Sequence, residues 1–182
     1  PMLDKKFFER NTIEVAKELL GKKLVRIYRG KRMEGIITET EAYVGPEDRA
    51  SHASRGRTER TKIMFGEAGA IYVYLIYGVH YCLNIVTDKK DYPAAVLIRG
   101  IFSGGEYFNG PGRLCRFLHV DKSLNGKPLS KESGLWIERG EPVLEKNIFS
   151  SPRIGIDYAG SLWAKKPWRF YIKRNPFVSK AR

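Results

Sequence analysis

Apolar and polar residues alternate with two different periods along this chain. Near its start, the spacing of apolar residues from Ile13 to Leu20 is helical, and the stripe ends at Gly21. Asn11, followed three residues later by Glu14, has the capping-box arrangement of a helix N-terminus. The sequence therefore predicts a short amphipathic helix ahead of the first strand.

Most later apolar segments are short, rich in β-branched and aromatic residues, and bounded by glycine or proline, as strands are. A turn at Arg29-Gly30 joins the first two, and a turn at 78–80 makes residues 70–87 a β-hairpin. Pro111 to Leu118 is predicted to be a short helix with proline in its first turn. The predicted strands are Lys23 to Tyr28, Met33 to Tyr43, Ala70 to Tyr77, Tyr81 to Thr87, Ala94 to Arg99, Leu135 to Glu138 and Trp168 to Lys173.

These elements define the expected fold class. No repeat or long linker divides the chain, and 182 residues are enough for one domain with a full core. We therefore expect a single compact α+β domain over residues 1–182, mainly antiparallel β-sheet with flanking helices and a protruding β-hairpin.

The second predicted strand carries acidic residues. Its period of two places Ile37, Glu39, Glu41 and Tyr43 on one face, so that two carboxylates project together. The Gly-Pro pair at 45–46 should end this strand, and residues 48–62 are expected to form a surface loop.

Three roles remain open for this acidic segment, which continues to Asp48 and His52. Clustered carboxylates hold Mg²⁺ in nucleases, and Glu39, Glu41 and Asp48 are the candidates here. A single carboxylate is enough for a general base that activates water at a sugar carbon. The third role is structural, because glutamates at strand ends often pair with arginine on the surface.

Charge narrows the choice of partner. The chain has 33 Lys+Arg against 20 Asp+Glu, a formal net charge of +13, which favours a polyanion. Basic residues cluster at 49–62 and again at 161–182, where aromatic rings alternate with them. That mixture suits phosphate contacts beside stacking rings, so nucleic acid is the expected partner.

Cysteine usage and hydropathy indicate the cellular setting. Cys82 and Cys115 are too few and too far apart for a disulfide framework or a four-ligand zinc site, and we expect buried, reduced thiols. No apolar run approaches the roughly 18 to 20 residues of a membrane span, and no signal-peptide pattern opens the sequence. We therefore expect no membrane association and a cytoplasmic, nucleoid-associated protein.

Several motifs follow one another in a specific order. They are Glu39 to Asp48, Ala50-Ser51-His52, Arg55 to Thr58, Met64-Phe65, Tyr72 to Gly78, Asn84, Arg99, Gly110-Pro111-Gly112, Leu114-Cys115, Arg153 to Ile156 and Trp163 to Tyr171. In this order, from about Leu19 to Ser179, they closely resemble the alkyladenine (3-methyladenine) DNA glycosylase family.

The resemblance implies a monofunctional base-excision enzyme. Such an enzyme flips a damaged purine out of duplex DNA and hydrolyses its N-glycosidic bond, leaving an abasic site. Glu41 would activate the attacking water and Arg99 would help to hold it. The resemblance also implies no metal or organic cofactor, no lysine Schiff base, and a monomer that acts on double-stranded DNA containing damaged purines.

Further site residues follow from the same resemblance. Tyr43, His52 and Tyr74 would line the base pocket, with Asn84 at its edge. Tyr77 would fill the gap that the flipped nucleotide leaves, because a ring can stack on the exposed bases. The basic clusters and the predicted helix supply the expected DNA-contacting residues, which are Arg57, Arg60, Arg113, Lys166 and Arg169.

Some points remain open from the sequence. Asn84 can act at the base edge or bond to backbone, and we expect Tyr72 and Tyr81 to pack in the core. Thr61 stands where the family typically has asparagine, and the segment between Arg99 and Gly110 is much shorter than in the vertebrate members, so the lesion range stays undefined. The alternatives to a glycosylase are a Mg²⁺-dependent nuclease and a non-catalytic nucleic-acid-binding module.

Overall fold

The protein is built on one antiparallel sheet. The computed structural model describes residues 1–172. Within them the strand order is β3-β4-β5-β2-β1-β7, while β6 pairs with β5, and β9 pairs with both β2 and β8. These pairings confirm the expected α+β fold. The strands are β1 (Lys23–Tyr28), β2 (Lys31–Val44), β3 (Ile71–Ile76), β4 (His80–Val86), β5 (Ala94–Ser103), β6 (Glu106–Asn109), β7 (Leu135–Glu138), β8 (Ile148–Ser151) and β9 (Arg169–Ile172).

Short helices flank the sheet. The Asn11 side chain accepts hydrogen bonds from the backbone N–H groups of Ile13 and Glu14, which confirms the predicted cap. Thr40 Oγ1 of β2 donates to the Ala16 carbonyl at 2.8 Å and so ties the second helix to the central strand. The helices are α1 (Lys5–Phe8), α2 (Thr12–Glu18), α3 (Pro111–Phe117) and α4 (Ser161–Ala164).

A β-bulge in β2 corrects the predicted face of this strand. Its pairing with β5 shifts register between Ile37 and Thr40. Because an extra residue reverses the alternation, Ile37 lies with Ala42 in the main core instead of beside Glu41. The prediction that Ile37 shares a face with Glu39 and Glu41 is therefore wrong. The two glutamates do contact the same arginine, as their shared face predicts.

The surface-loop prediction for residues 48–62 is also partly wrong. Asp48, Ala50, Ala53 and Thr61 are buried, and a 3₁₀ turn runs over His52–Arg55. The segment folds inward because the Asp48 carboxylate accepts hydrogen bonds from Val44 N at 2.9 Å and Ala50 N at 3.1 Å. This segment therefore forms one wall of the site described below.

The predicted hairpin is confirmed and protrudes from the sheet. Strands β3 and β4 pair from Ile71↔Ile85 to Ile76↔His80. Residues 77–79 form the tip, where Tyr77 has a φ of 53° and a relative exposure of 91%. A left-handed conformation is uncommon for a tyrosine, so the turn holds this ring outward at a local conformational cost.

Other elements extend the predictions. Strand β5 continues beyond Arg99 to Ser103 and returns through β6, and β6, β8, α1 and α4 were not predicted. Cys82 and Cys115 are buried and free, as expected. The predicted strand end at Lys173 lies outside the described residues. None of the described helices is both long and apolar enough to cross a bilayer.

Candidate active site

A cavity of about 340 Å³ opens beside the β3–β4 hairpin. Its walls also include parts of residues 50–64 and 154–158, which are far apart in sequence. The volume is in the range of small-ligand sites. Several residues line this cavity that were predicted to bind the base, to help hold the water or to fill the gap left by the flipped nucleotide. They are Tyr43, His52, Tyr74, Tyr77, Asn84 and Arg99.

Glu41 borders this cavity without being one of its lining residues. Its carboxylate is fully buried. Oε1 accepts a hydrogen bond from the Tyr43 hydroxyl at 2.8 Å, and Oε2 accepts one from the Ile154 backbone N–H at 2.7 Å. Arg99 Nη1 lies 3.7 Å from Oε1. Tyr43, Ile154 and Arg99 all line the cavity, so the carboxylate is held directly behind its wall.

Arg99 lies between two carboxylates. Its Nε is 3.6 Å from Glu39 Oε1, and its Nη1 is 3.7 Å from Glu41 Oε1. Both distances fit ion pairs but exceed a direct hydrogen bond. Burial alone would lower the pKa of Arg99, but the charges of Glu41 and Glu39 outweigh burial and raise it. Arg99 therefore stays cationic at the cavity wall.

Arg169 does not occupy a DNA-facing position, and this corrects the sequence prediction. Its side chain is buried, Nη1 donates to Glu39 Oε1 at 3.0 Å, and Nε donates to the Pro152 carbonyl. Strand β9 pairs with β2 opposite Glu39 and Glu41, and this pairing brings Arg169 next to Glu39. Arg169 is therefore a structural partner of Glu39.

Aromatic rings and an imidazole form the cavity wall. His52 meets Tyr74 edge to face, with ring centres 4.7 Å apart. Burial, followed by the charges of Arg60 and Arg55, lowers the pKa of His52 to about 4, so its imidazole is neutral at pH 7. Burial raises the pKa of the Tyr43 hydroxyl well above its usual value, and nearby Glu41 adds to this rise. Tyr43 therefore stays a hydrogen-bond donor.

Asn84 bonds to backbone, which is one of the two roles left open by the sequence. It lines the cavity, and its Nδ2 donates to the Tyr72 carbonyl at 3.2 Å across the hairpin. That bond fixes the orientation of the amide. Tyr72 is buried in a small core cluster and Tyr81 packs against the main core, as expected, although Tyr72 also reaches the cavity.

The nuclease alternative requires carboxylates that converge on one ion. Among residues 1–172, no group of three or more His, Cys, Asp and Glu side chains is arranged to hold a metal. Glu39 and Glu41 face Arg99, and Asp48 pairs with Arg153 instead. Guanidinium groups thus occupy the positions around these carboxylates that Mg²⁺ and its oxygen ligands would need.

The remaining predicted DNA-contacting residues lie at or near the surface. Arg57, Arg60 and Arg113 are exposed, and Arg60 also lines the cavity. Lys166 is half-buried, with Nζ 5.8 Å from the Trp163 ring centre and 5.7 Å from that of Trp168. The basic residues after 172 lie outside the described residues.

Sequence reasoning missed three contributors to the site. Ile154 donates its backbone N–H to Glu41, and Arg153 holds that segment in place. Tyr158 lines the cavity and donates its hydroxyl to the Ala50 carbonyl at 2.8 Å. The motif Arg153 to Ile156 was noticed, but a backbone donor carries no side-chain signal in a sequence.

Comparison with known families is consistent with this geometry. The family model described as methylpurine-DNA glycosylase (MPG) matches residues 6–176, nearly the whole chain. This chain belongs to the methylpurine-DNA glycosylase family.

Similar proteins occur in several organisms. A protein of Methanocella arvoryzae is 47% identical over 196 residues, covering 99% of this chain and 96% of that protein. Proteins of Natranaerobius thermophilus and Myxococcus xanthus are 43% and 45% identical, covering 97% and 98% of this chain and 98% and 93% of their own lengths. All three are named "Putative 3-methyladenine DNA glycosylase".

Proposed function

We propose that this protein excises alkylated purines, 3-methyladenine among them, from double-stranded DNA and leaves an abasic site. Family membership and the names of the relatives support the reaction class and this substrate. The observation that carries the proposal is the position of Glu41. A fully buried carboxylate, oriented by two hydrogen bonds, borders a cavity large enough for a small ligand.

Glu41 acts as the general base in this proposal. Tyr43 and Ile154 each occupy one oxygen of the carboxylate, and a carboxylate can accept about four hydrogen bonds. It therefore keeps capacity to accept a proton from water that attacks the sugar carbon. Arg99, 3.7 Å from Oε1, is close enough to help orient that water. The negative carboxylate also stabilises the positive charge that develops on the sugar.

Tyr43, Tyr74 and His52 form the base-binding walls. A 3-methylated adenine in a nucleoside is cationic, and an aromatic face attracts a desolvated cation by about 2 kcal/mol. Neutral His52 adds no further positive charge and can donate or accept at the purine edge. Asn84 is fixed by its bond to the Tyr72 carbonyl and would discriminate between purines through contact with the exocyclic groups at that edge.

Tyr77 acts as a wedge that fills the gap left in the DNA by the flipped nucleotide. Its ring is 91% exposed at the hairpin tip and borders the mouth of the cavity. Stacking on bases contributes roughly 1–3 kcal/mol, comparable with the few kcal/mol needed to flip a nucleotide. Exposed Arg57, Arg60 and Arg113 would contact phosphates on either side. We also propose that the protein acts as a monomer, without metal or organic cofactor, on nucleoid DNA.

A glycosylase assay in EDTA tests this function. Duplexes each contain one 3-methyladenine, 7-methylguanine, hypoxanthine or ethenoadenine, and an undamaged duplex is the control. We expect released free base and an alkali-sensitive abasic site from the alkylated purines, and no adduct after borohydride. Strand cleavage that requires Mg²⁺, or binding without base release, would refute the proposal.

A further inference from the structure

Arg60 is the cavity-lining arginine whose charge is not balanced by an ion pair within residues 1–172. The guanidinium of Arg99 faces Glu39 and Glu41, and that of the neighbouring Arg153 faces Asp48. Arg60 is exposed and lines the same cavity. Within residues 1–172, Arg60 therefore leaves an uncompensated positive charge on the base-binding side of the cavity.

The position of this charge is defined by the rings around it. The Arg60 guanidinium carbon lies 5.2 Å from the centre of the Tyr74 ring. Burial raises the pKa of the Tyr72 hydroxyl, whereas the Arg60 guanidinium lowers it. Neighbouring His52 is neutral and does not share the positive charge at pH 7. A purine held against Tyr74 would lie within the field of Arg60.

We propose that the Arg60 guanidinium assists departure of the purine by electrostatic stabilisation, an inference that rests on the proposed function. When the bond between C1′ and the purine nitrogen breaks, its electron pair passes to the purine, and C1′ becomes positive. A cationic alkylpurine then leaves as a neutral base, and a neutral purine gains negative charge. Water adds to C1′, and Glu41 accepts its proton. In both cases the purine becomes more negative, which a nearby fixed cation favours.

The same charge has the opposite effect before the bond breaks. Arg60 repels a cationic alkylpurine in the bound ground state but has no net charge to repel in a neutral lesion. Tyr74, with one cation already over its ring, also attracts a second cation less. Arg60 should therefore weaken the binding of cationic lesions while it accelerates their release. A residue with only a structural role would not change the affinity for cationic lesions and the rate of base release in opposite directions.

The test is Arg60→Gln, which removes the charge and keeps a polar side chain. Single-turnover release of 7-methylguanine at saturating enzyme should slow by roughly five- to tenfold, because a unit charge beside the Tyr74 ring acts on the purine through an effective dielectric between those of protein and water. Binding is measured in a Glu41→Gln background, in which the base should stay attached. There the affinity for a 7-methylguanine duplex should rise severalfold relative to an ethenoadenine duplex. A lost phosphate contact would affect both duplexes equally and cancels in this ratio.

Two further variants control the result. Arg60→Lys keeps the charge and should keep most of the release rate. Arg116→Gln removes an exposed charge from α3, at a residue that does not line the cavity, and should change the rate less than twofold. An unchanged rate in Arg60→Gln, or a binding ratio that fails to rise, would overturn this inference while the proposed function stands. If the wild-type protein releases no alkylpurine, both this inference and the proposed function are refuted.

Discussion

Arg153 and Asp48 form a fully buried, bidentate ion pair. Nη1 donates to Oδ2 at 2.6 Å and Nη2 donates to Oδ1 at 3.0 Å, between residues 105 positions apart. Arg153 also donates to the Ala42 carbonyl. The pair thus ties the end of β2 to the segment whose Ile154 N–H holds Glu41, so it supports the site without contributing to the chemistry.

Asp48→Asn should therefore destabilise the fold. It leaves the Arg153 guanidinium buried without its carboxylate, and breaking a buried pair in this way costs about 3–5 kcal/mol. Urea unfolding measures the free energy of unfolding. The neighbouring Glu47→Gln, at an exposed position, should change that free energy by no more than about 0.5 kcal/mol. Equal small effects of both substitutions would show that the ion pair is not structural.

His52 should make stability depend on pH. Its pKa in the folded protein is about 4, against 6.5 for an unperturbed histidine, so the unfolded state binds the proton more readily between these values. This contribution to the free energy of unfolding is fully present above pH 6.5 and is lost as the pH falls towards 4.

Two measurements check the behaviour of His52. Imidazole NMR titration should give its pKa directly, and the stability difference between wild type and His52→Gln should shrink from pH 7 to pH 4. A His52 signal that titrates near pH 6.5 would contradict the neutral cavity wall.

Tyr77→Ala should slow base release without affecting the fold. Loss of roughly 1–3 kcal/mol of stacking corresponds to a decrease of about 5- to 150-fold for a base-paired lesion. Stability should stay within about 0.5 kcal/mol because the ring is exposed. Tyr77→Trp should retain activity, and Val79→Ala, at the same tip but outside the cavity lining, is the matched control. Equal effects of Tyr77→Ala and Val79→Ala would rule out a specific wedge.

Arg113 and Arg169 should respond differently to substitution. Arg113→Gln should make the slope of log affinity against log salt shallower by about 0.9, the value for one phosphate contact. Arg169→Gln should leave that slope unchanged but reduce the free energy of unfolding by about 3 kcal/mol, because it removes a buried partner of Glu39. Filter binding across a salt series and urea unfolding separate the two roles. A shallower slope for Arg169→Gln would restore it as a DNA contact.

Local patterns predicted the local structure of this protein well. The Asn11 cap, the β3–β4 hairpin and the helix that begins at Pro111 each depend on a few adjacent residues, and each is present. The bulge at Ile37 was not predictable, because it arises from pairing with β5, more than 60 residues away. Simple alternation cannot include an extra residue that a distant strand imposes.

In the candidate site, too, some features could be predicted from the sequence and others depend on distant contacts. The order of the motifs predicted that Tyr43, His52, Tyr74 and Asn84 lie at one pocket, and all four line the same cavity. Charge patterning, by contrast, placed Arg169 on the DNA surface, although β9 carries it to the buried Glu39. A basic residue in a sequence has the same appearance whether it meets phosphate or a buried carboxylate, so only tertiary contacts separate these roles.

The most direct measurement for the account is single-turnover base release by Glu41→Gln on a duplex containing one 7-methylguanine. The substitution keeps the shape of the side chain and an oxygen that can accept from the Tyr43 hydroxyl. We predict binding within about threefold of wild type and release slowed by about 10²- to 10⁴-fold. Release at the wild-type rate would contradict the assignment of Glu41 as the base that activates water.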